Sequence, residues 1–187
     1  MAATCDVVPR SSTEILALAE SAPEEVTPVV SLPTGEPADP ATTAAITVTL
    51  QVMGACLTAG EMLRFYALHS DAWLQRFASS IEGLPTLTTS TPPLADGDRA
   101  VYLGPWHVQA LPDGRVLAAV LLRVGNELRP DPSRTRVLLF IEQDDRWVVD
   151  QTIARVQLAG CEERVDVAAV VGPPPGAFFD TWTVRCD

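Results

Sequence analysis

The spacing of apolar positions divides the chain into four stretches. Residues 1–38 hold one short helical candidate, Ser12 to Glu20, where Ile15, Leu16, Leu18 and Ala19 follow a serine and threonine start. Pro23, Pro28, Pro33 and Pro37 then punctuate a segment without periodicity, which reads as an extended arm or linker and not as a domain. A helical block opens sharply at Asp39, a good N-cap, followed by Pro40 at the first helical position, where a missing N–H costs nothing. Ile46, Leu50, Met53 and Leu57 recur at helical spacing, Ala45, Val52 and Cys56 widen the stripe, and Gly60 is the stop. Glu61 to His69 is expected as a second helix, with Met62, Leu63, Phe65, Tyr66 and Leu68 as its apolar positions. Ser70 or Asp71 would cap a third, carrying Trp73, Leu74, Phe77 and Ile81.

A Thr- and Pro-rich loop, Leu84 to Asp98, leads into strands. Arg99 to Leu111 and Arg115 to Val124 meet across Pro112, Asp113 and Gly114, which is strong turn chemistry between apolar runs. Thr135 to Glu142 and Trp147 to Gln157 form a second pair across a tight polar turn, Gln143 to Arg146. Val116 to Leu122 and Val137 to Ile141 are apolar at both alternating sets of positions, so the sheet should be covered on both faces over part of its length. The helices supply one cover; a partner subunit or a closed, curved pocket is expected as the other. Residues 39–158 thus form the folded domain. Residues 159–187 read as an appendage of two strands, Arg164 to Val171 and Phe178 to Cys186, joined by a loop containing Pro173, Pro174 and Pro175.

Composition narrows the class. Of 187 residues, 47% are hydrophobic and 20% charged, so the chain can build a sizeable core and is not disordered as a whole. Thirteen basic against twenty-four acidic residues give a net charge of -11, which argues against nucleic acid and against an anionic membrane surface. No apolar run approaches the ~20 residues of a membrane span, so none is expected. The four cysteines, Cys5, Cys56, Cys161 and Cys186, include no C-x-x-C pair, and with two histidines they offer no zinc ligand cluster; no metal and no cofactor is expected.

Wide spacing and an even count fit a secreted protein with two disulfides, for which three pairings are possible. Cys5 with Cys56, tying the arm to the first long helix, and Cys161 with Cys186, closing the C-terminal unit, is the favoured set; four reduced, buried thiols are the alternative. Met1 is followed by small residues with no basic region or apolar core. A secreted or cell-surface location, with the export signal already removed, fits those residues and the cysteines together.

The run from Ala55 to Phe77, ACLTAGEMLRFYALHSDAWLQRF, with LPDGRV at Leu111 to Val116 and DDRWVVD at Asp144 to Asp150, resembles the NTF2-like (SnoaL-like) superfamily, and within it uncharacterised exported bacterial members with a Cys-containing arm. The resemblance covers about Asp39 to Val156. It implies an α+β cone: N-terminal helices packed on a strongly curved antiparallel sheet, often dimeric through that sheet, with a pocket between the layers. Superfamily members include isomerases, dehydratases, epoxide hydrolases and noncatalytic binding domains, so the fold cannot stand in for an activity.

Candidate chemistry is sparse. A ketosteroid-isomerase-like site needs a carboxylate base and a tyrosine aimed at a developing oxyanion, roles open to Asp150 and Tyr66. A dehydratase-like site would recruit His69 or His107 with Asp71. Structural roles compete: Tyr66 as a core residue, Asp71 as a cap, His69 as a cation at a helix C-terminus. Tyr66, Trp73, Trp106, His107 and Asp150 are the expected pocket residues, the pair Trp106 and His107 because a bulge at Gly104 and Pro105 would re-aim them. No G-x-S-x-G elbow and no glycine-rich phosphate loop occurs. The expected function is a noncatalytic domain that binds a small apolar or amphipathic ligand or a protein partner. The alternative is a cofactor-independent isomerase or dehydratase.

Overall fold

The computed structural model describes residues 3–20, 31–78, 91–125, 131–157 and 164–175. Within them the chain is an α+β protein with a five-stranded antiparallel sheet and helices. The elements are α1 (Ser12–Glu20), β1 (Glu36–Pro37), α2 (Pro40–Ala59), α3 (Met62–Tyr66), α4 (Asp71–Ala78), β2 (Ala100–Ala110), β3 (Val116–Val124), a 3-10 turn (Pro132–Arg134), β4 (Thr135–Gln143), β5 (Arg146–Ile153), β6 (Arg155–Gln157), β7 (Arg164–Asp166) and α5 (Ala168–Val171). The sheet order is β1-β2-β3-β4-β5, and β6 and β7 form a separate antiparallel pair.

Local chemistry sets the ends of α2. Asp39 accepts hydrogen bonds from the backbone N–H groups of Ala41 (2.8 Å) and Thr42 (2.9 Å), which are among the donors a helix start leaves unpaired. The Thr42 hydroxyl and backbone together hold the Asp39 carboxyl below its usual pKa. Gly60 ends the helix in the left-handed region, at φ 70°, and its N–H returns to the carbonyls of Cys56 and Leu57. The twenty residues between carry no charge, and by length and composition alone they would suffice to cross a membrane. Their apolarity serves a core here: Ile46, Leu50, Met53 and Cys56 are buried against β-strand residues Val116, Ala118, Val120, Leu138, Phe140 and Val149.

Alternate residues of β3 and β4 face the other way. Leu117, Ala119, Leu121, Val137 and Leu139 are buried with Trp106, Leu111, Ile153, Val156, Val165, Val167 and Val171. The second cover is therefore the chain's own C-terminal segment together with Leu32, where a partner subunit or a pocket had been the expectation. That segment also departs from the expected strand pair. Arg164–Asp166 pairs with Arg155–Gln157, Val167 N–H donates to Ala154 O at 2.9 Å, and Ala168–Val171 is a short helix. Residues Phe178 to Cys186 lie outside the described residues, as do Cys161 and Ile81. The expected strand Trp147 to Gln157 is divided at Ala154, which lets β6 leave the sheet and fold over it.

The second helix is shorter than expected because its end serves the sheet. Leu68 O accepts from Val149 N–H and Ser70 N–H donates to Val149 O, both at 2.9 Å, so Leu68 to Ser70 runs along β5 instead of continuing the helix. The arm is pinned across these helices by a Cys5–Cys56 disulfide, by Arg10 N–H donating to Leu63 O (3.1 Å), and by a hydrogen bond from Arg64 Nη1 to Val7 O.

Two consequences are measurable. A Cβ at Gly54 would stand 2.7 Å from the Ala100 carbonyl oxygen, so Gly54→Ala must push α2 off β2. The clash outweighs the helix propensity gained, and urea unfolding should show a net loss of about 1–2 kcal/mol. Reducing the disulfide opens a loop of sequence separation 51. Unfolding in the presence of reductant should be easier by about 2–4 kcal/mol, and alkylation of the denatured, unreduced protein should leave Cys5 and Cys56 unmodified.

Candidate functional site

The sequence candidates separate into three places. Tyr66, His69 and Trp73 cluster where α3 meets α4: Tyr66 and His69 ring centroids lie 6.5 Å apart, and the His69 ring lies 4.6 Å from Phe65 and 4.1 Å from Trp73. Trp73 continues the row by stacking on Phe77 at 4.8 Å, while its indole N–H donates to Thr152 Oγ1 at 2.9 Å. Asp150 adjoins this cluster from β5. Trp106 lies on the opposite sheet face, buried, with its indole N–H 3.4 Å from Val171 O. His107, next along the strand, has φ 52° and is exposed. The bulge at Gly104 and Pro105 does re-aim these two, but away from Tyr66; β2 loses register with β3 on both sides of Trp106.

Ser70, Asp71, His69 and Asp150 already have structural work. Ser70 is the cap of α4, accepting from Trp73 N–H at 3.0 Å, and its own hydroxyl donates to Asp150 Oδ1 at 2.7 Å. Asp150 is flanked by Arg76 at 3.9 Å and Arg115 at 4.0 Å, and its carbonyl accepts from Arg76 Nη2. Asp71 pairs with Arg10 at 2.6 Å, and Arg10 also donates to the His69 carbonyl at 3.0 Å. The cation at that helix end is thus Arg10. His69 had been expected in that role, but its ring is buried with Nδ1 3.0 Å from Phe65 O, and burial drives its pKa down to about 3. Burial pushes the Tyr66 phenol up to about 12. Near neutral pH the site therefore holds a neutral imidazole that is a weak base and a phenol that is a weak acid, a poor pair for proton transfer.

Open space occurs elsewhere. A cleft of about 560 Å³ lies between the arm, one face of α2 and the start of β2, lined by Ala3, Thr4, Cys5, Leu50, Gln51, Gly54, Ala55, Thr58, Ala59, Arg99, Ala100, Val101 and Tyr102. Its floor exists because Gly54 lets α2 approach Ala100 closely, and the Thr58 hydroxyl fastens that contact. This hydroxyl donates to Gly54 O at 2.8 Å and accepts from Ala100 N–H at 2.9 Å. Cys5 and its disulfide hold one wall against α2. None of the five residues expected to line a pocket belongs to this cleft. Sequence reasoning passed over its lining because small residues carry no chemical signature; the uncharged face of α2 and the Cys5–Cys56 pairing were the available signals. Among the described residues no three His, Cys, Asp or Glu side chains gather as a metal site.

Comparison of the chain with family models, with curated proteins and with solved structures finds no match.

The buried imidazole has a pH signature. His69 is neutral in the folded protein down to pH about 3 but titrates near its ordinary value when unfolded. Between these values the unfolded chain binds more protons, so stability falls as pH drops. From pH 7 to pH 5 His69 should remove about 2 kcal/mol of stability, a dependence that His69→Phe should lack in urea titrations at the two pH values.

Proposed function

We propose that the chain is a noncatalytic binding domain of an exported bacterial protein, built as an NTF2-like (SnoaL-like) α+β cone, whose ligand is a small apolar or amphipathic molecule. Support for the cone comes from the order of elements, with helices before an antiparallel meander, and from register breaks in β2 and between β4 and β5, which bend strands. In this protein the space between helices and sheet is filled by Phe65, Tyr66, Leu50, Met53 and Phe140. The ligand is therefore assigned to the cleft under the arm.

The observation that carries this reading is the pairing of a cleft of about 560 Å³, within the ~300–1,000 Å³ range of small-molecule sites, with a set of titratable groups engaged in caps and ion pairs. The disulfide supports an oxidising compartment, since such bonds persist outside the cytosol.

Protein secreted to an oxidising compartment, purified and then denatured should release a small molecule detectable by mass spectrometry. Ala55→Phe, which projects a ring into the cleft, should release none while unfolding at a similar temperature. Equal recovery from both proteins would overturn the assignment to this cleft.

A further inference from the structure

The lining of the cleft is chemically lopsided. Of its residues only Arg99 is charged, and it is a cation in a chain of net charge -11. Its guanidinium is exposed, donates to the adjacent Asp98 carbonyl at 2.7 Å, and forms no ion pair with a carboxylate among the described residues. Three residues on, Tyr102 lines the wall, partly buried, with a hydroxyl that has no hydrogen-bond partner among the described residues. Burial raises the Tyr102 pKa, and the charge of Arg136 acts on it in the opposite sense, placing a second cation nearby. The phenol is therefore a neutral donor. Thr58 adds no free polar group, because its hydroxyl is used twice in joining α2 to β2. Leu50, Gly54, Ala55, Ala59 and Val101 are apolar.

An exposed guanidinium beside a recess whose lining is otherwise uncharged, and apolar along Leu50, Gly54, Ala55, Ala59 and Val101, selects a ligand with an apolar body and an anionic acceptor at one end. A guanidinium binds a carboxylate through two parallel N–H···O bonds, and the contact strengthens where water is partly excluded. The field of an acidic protein repels anions at long range, so selection of an anion here must come from this local cation. We propose that the cleft binds a single-chain fatty carboxylate, with its head group at Arg99 and its chain along the floor made by Leu50, Gly54 and Ala55. The inference rests on the proposed binding function and deepens it by naming the ligand class.

Isothermal titration calorimetry with dodecanoate, dodecan-1-ol and dodecylamine, each below its aggregation limit, tests it on the oxidised protein. Dodecanoate should bind at least ~10-fold more tightly than dodecan-1-ol, the scale of one charge-assisted contact, and dodecylamine should bind most weakly. Arg99→Gln should bring dodecanoate down to the level of the alcohol. Ala55→Phe, and independently Gln51→Trp at an exposed cleft position, should abolish both. If acid and alcohol bind alike, or Arg99→Gln changes neither, anion selection is overturned while the cleft assignment stands. If dodecanoate binds both cleft-filling variants as it binds the unaltered protein, or binds none of the proteins, the cleft assignment falls as well.

Discussion

Strand β3 is apolar on both faces, and that constraint organises the rest of the molecule. Val116 to Leu121 are all 3% exposed or less, so water is removed from the even positions by the helices and from the odd positions by the C-terminal segment. A strand of this kind is stable only as the middle of three layers. β4 repeats the pattern with Leu138 and Phe140 on one face and Val137 and Leu139 on the other. The C-terminal segment is accordingly part of the core. Val156, Val165, Val167 and Val171 bury apolar area that would otherwise face water across the centre of the sheet.

How much of this was legible follows from how local each cause is. The bounds of α2 could be read because Asp39, Pro40 and Gly60 act within a turn of where they sit, and the start of α1 is as local, since the Ser11 hydroxyl accepts from Glu14 N–H while the Glu14 carboxylate accepts from Ser11 N–H. The β2–β3 turn could be read from Pro112, Asp113 and Gly114, and the β4–β5 turn from Asp144 and Asp145, which sit at φ 51° and 59° in a two-residue hairpin. The early end of α3 could not, since it depends on Leu68 and Ser70 bonding to Val149, some eighty residues away. The run from Val165 to Val171 is apolar at strand and at helix spacing alike; only its contact with the sheet decides that a strand of three residues gives way to a helix. The two-sided cover was foreseen from β3, whereas its identity was not, because a window of sequence shows that a face must be buried and not what buries it.

The candidate site was partly legible: four of its residues meet, and what escaped the sequence is how their polar groups are engaged. Tyr66, His69, Trp73 and Asp150 do lie close together, on elements whose order suggested it. What sequence could not show is that Ser70, Arg10, Arg76 and Arg115 meet their polar groups, or that His69 sits in a ring-lined site too dry to carry a proton. Trp106 and His107 fall outside the group because β2 breaks register with β3 on both sides of Trp106, at the positive-φ Gly104 with Pro105 and again at the positive-φ His107.

The same residues that close the core open the cleft. Gly54 lets α2 come close enough to β2 for the Thr58 hydroxyl to bridge them, which builds the floor into the helix–sheet contact. The opposite wall is different in kind: Ala3, Thr4 and Cys5 reach α2 through one covalent bond, and the next anchors along the arm are Val7 O and the Arg10 backbone. The cleft thus has a floor built into the helix–sheet contact and a wall held by a covalent tether. In this protein the helix–sheet interface is filled, and the recess lies where the arm crosses α2 and the start of β2. The disulfide holds that segment against α2, with Cys5 and Val7 packed on the edge of the core while the recess beside them stays open.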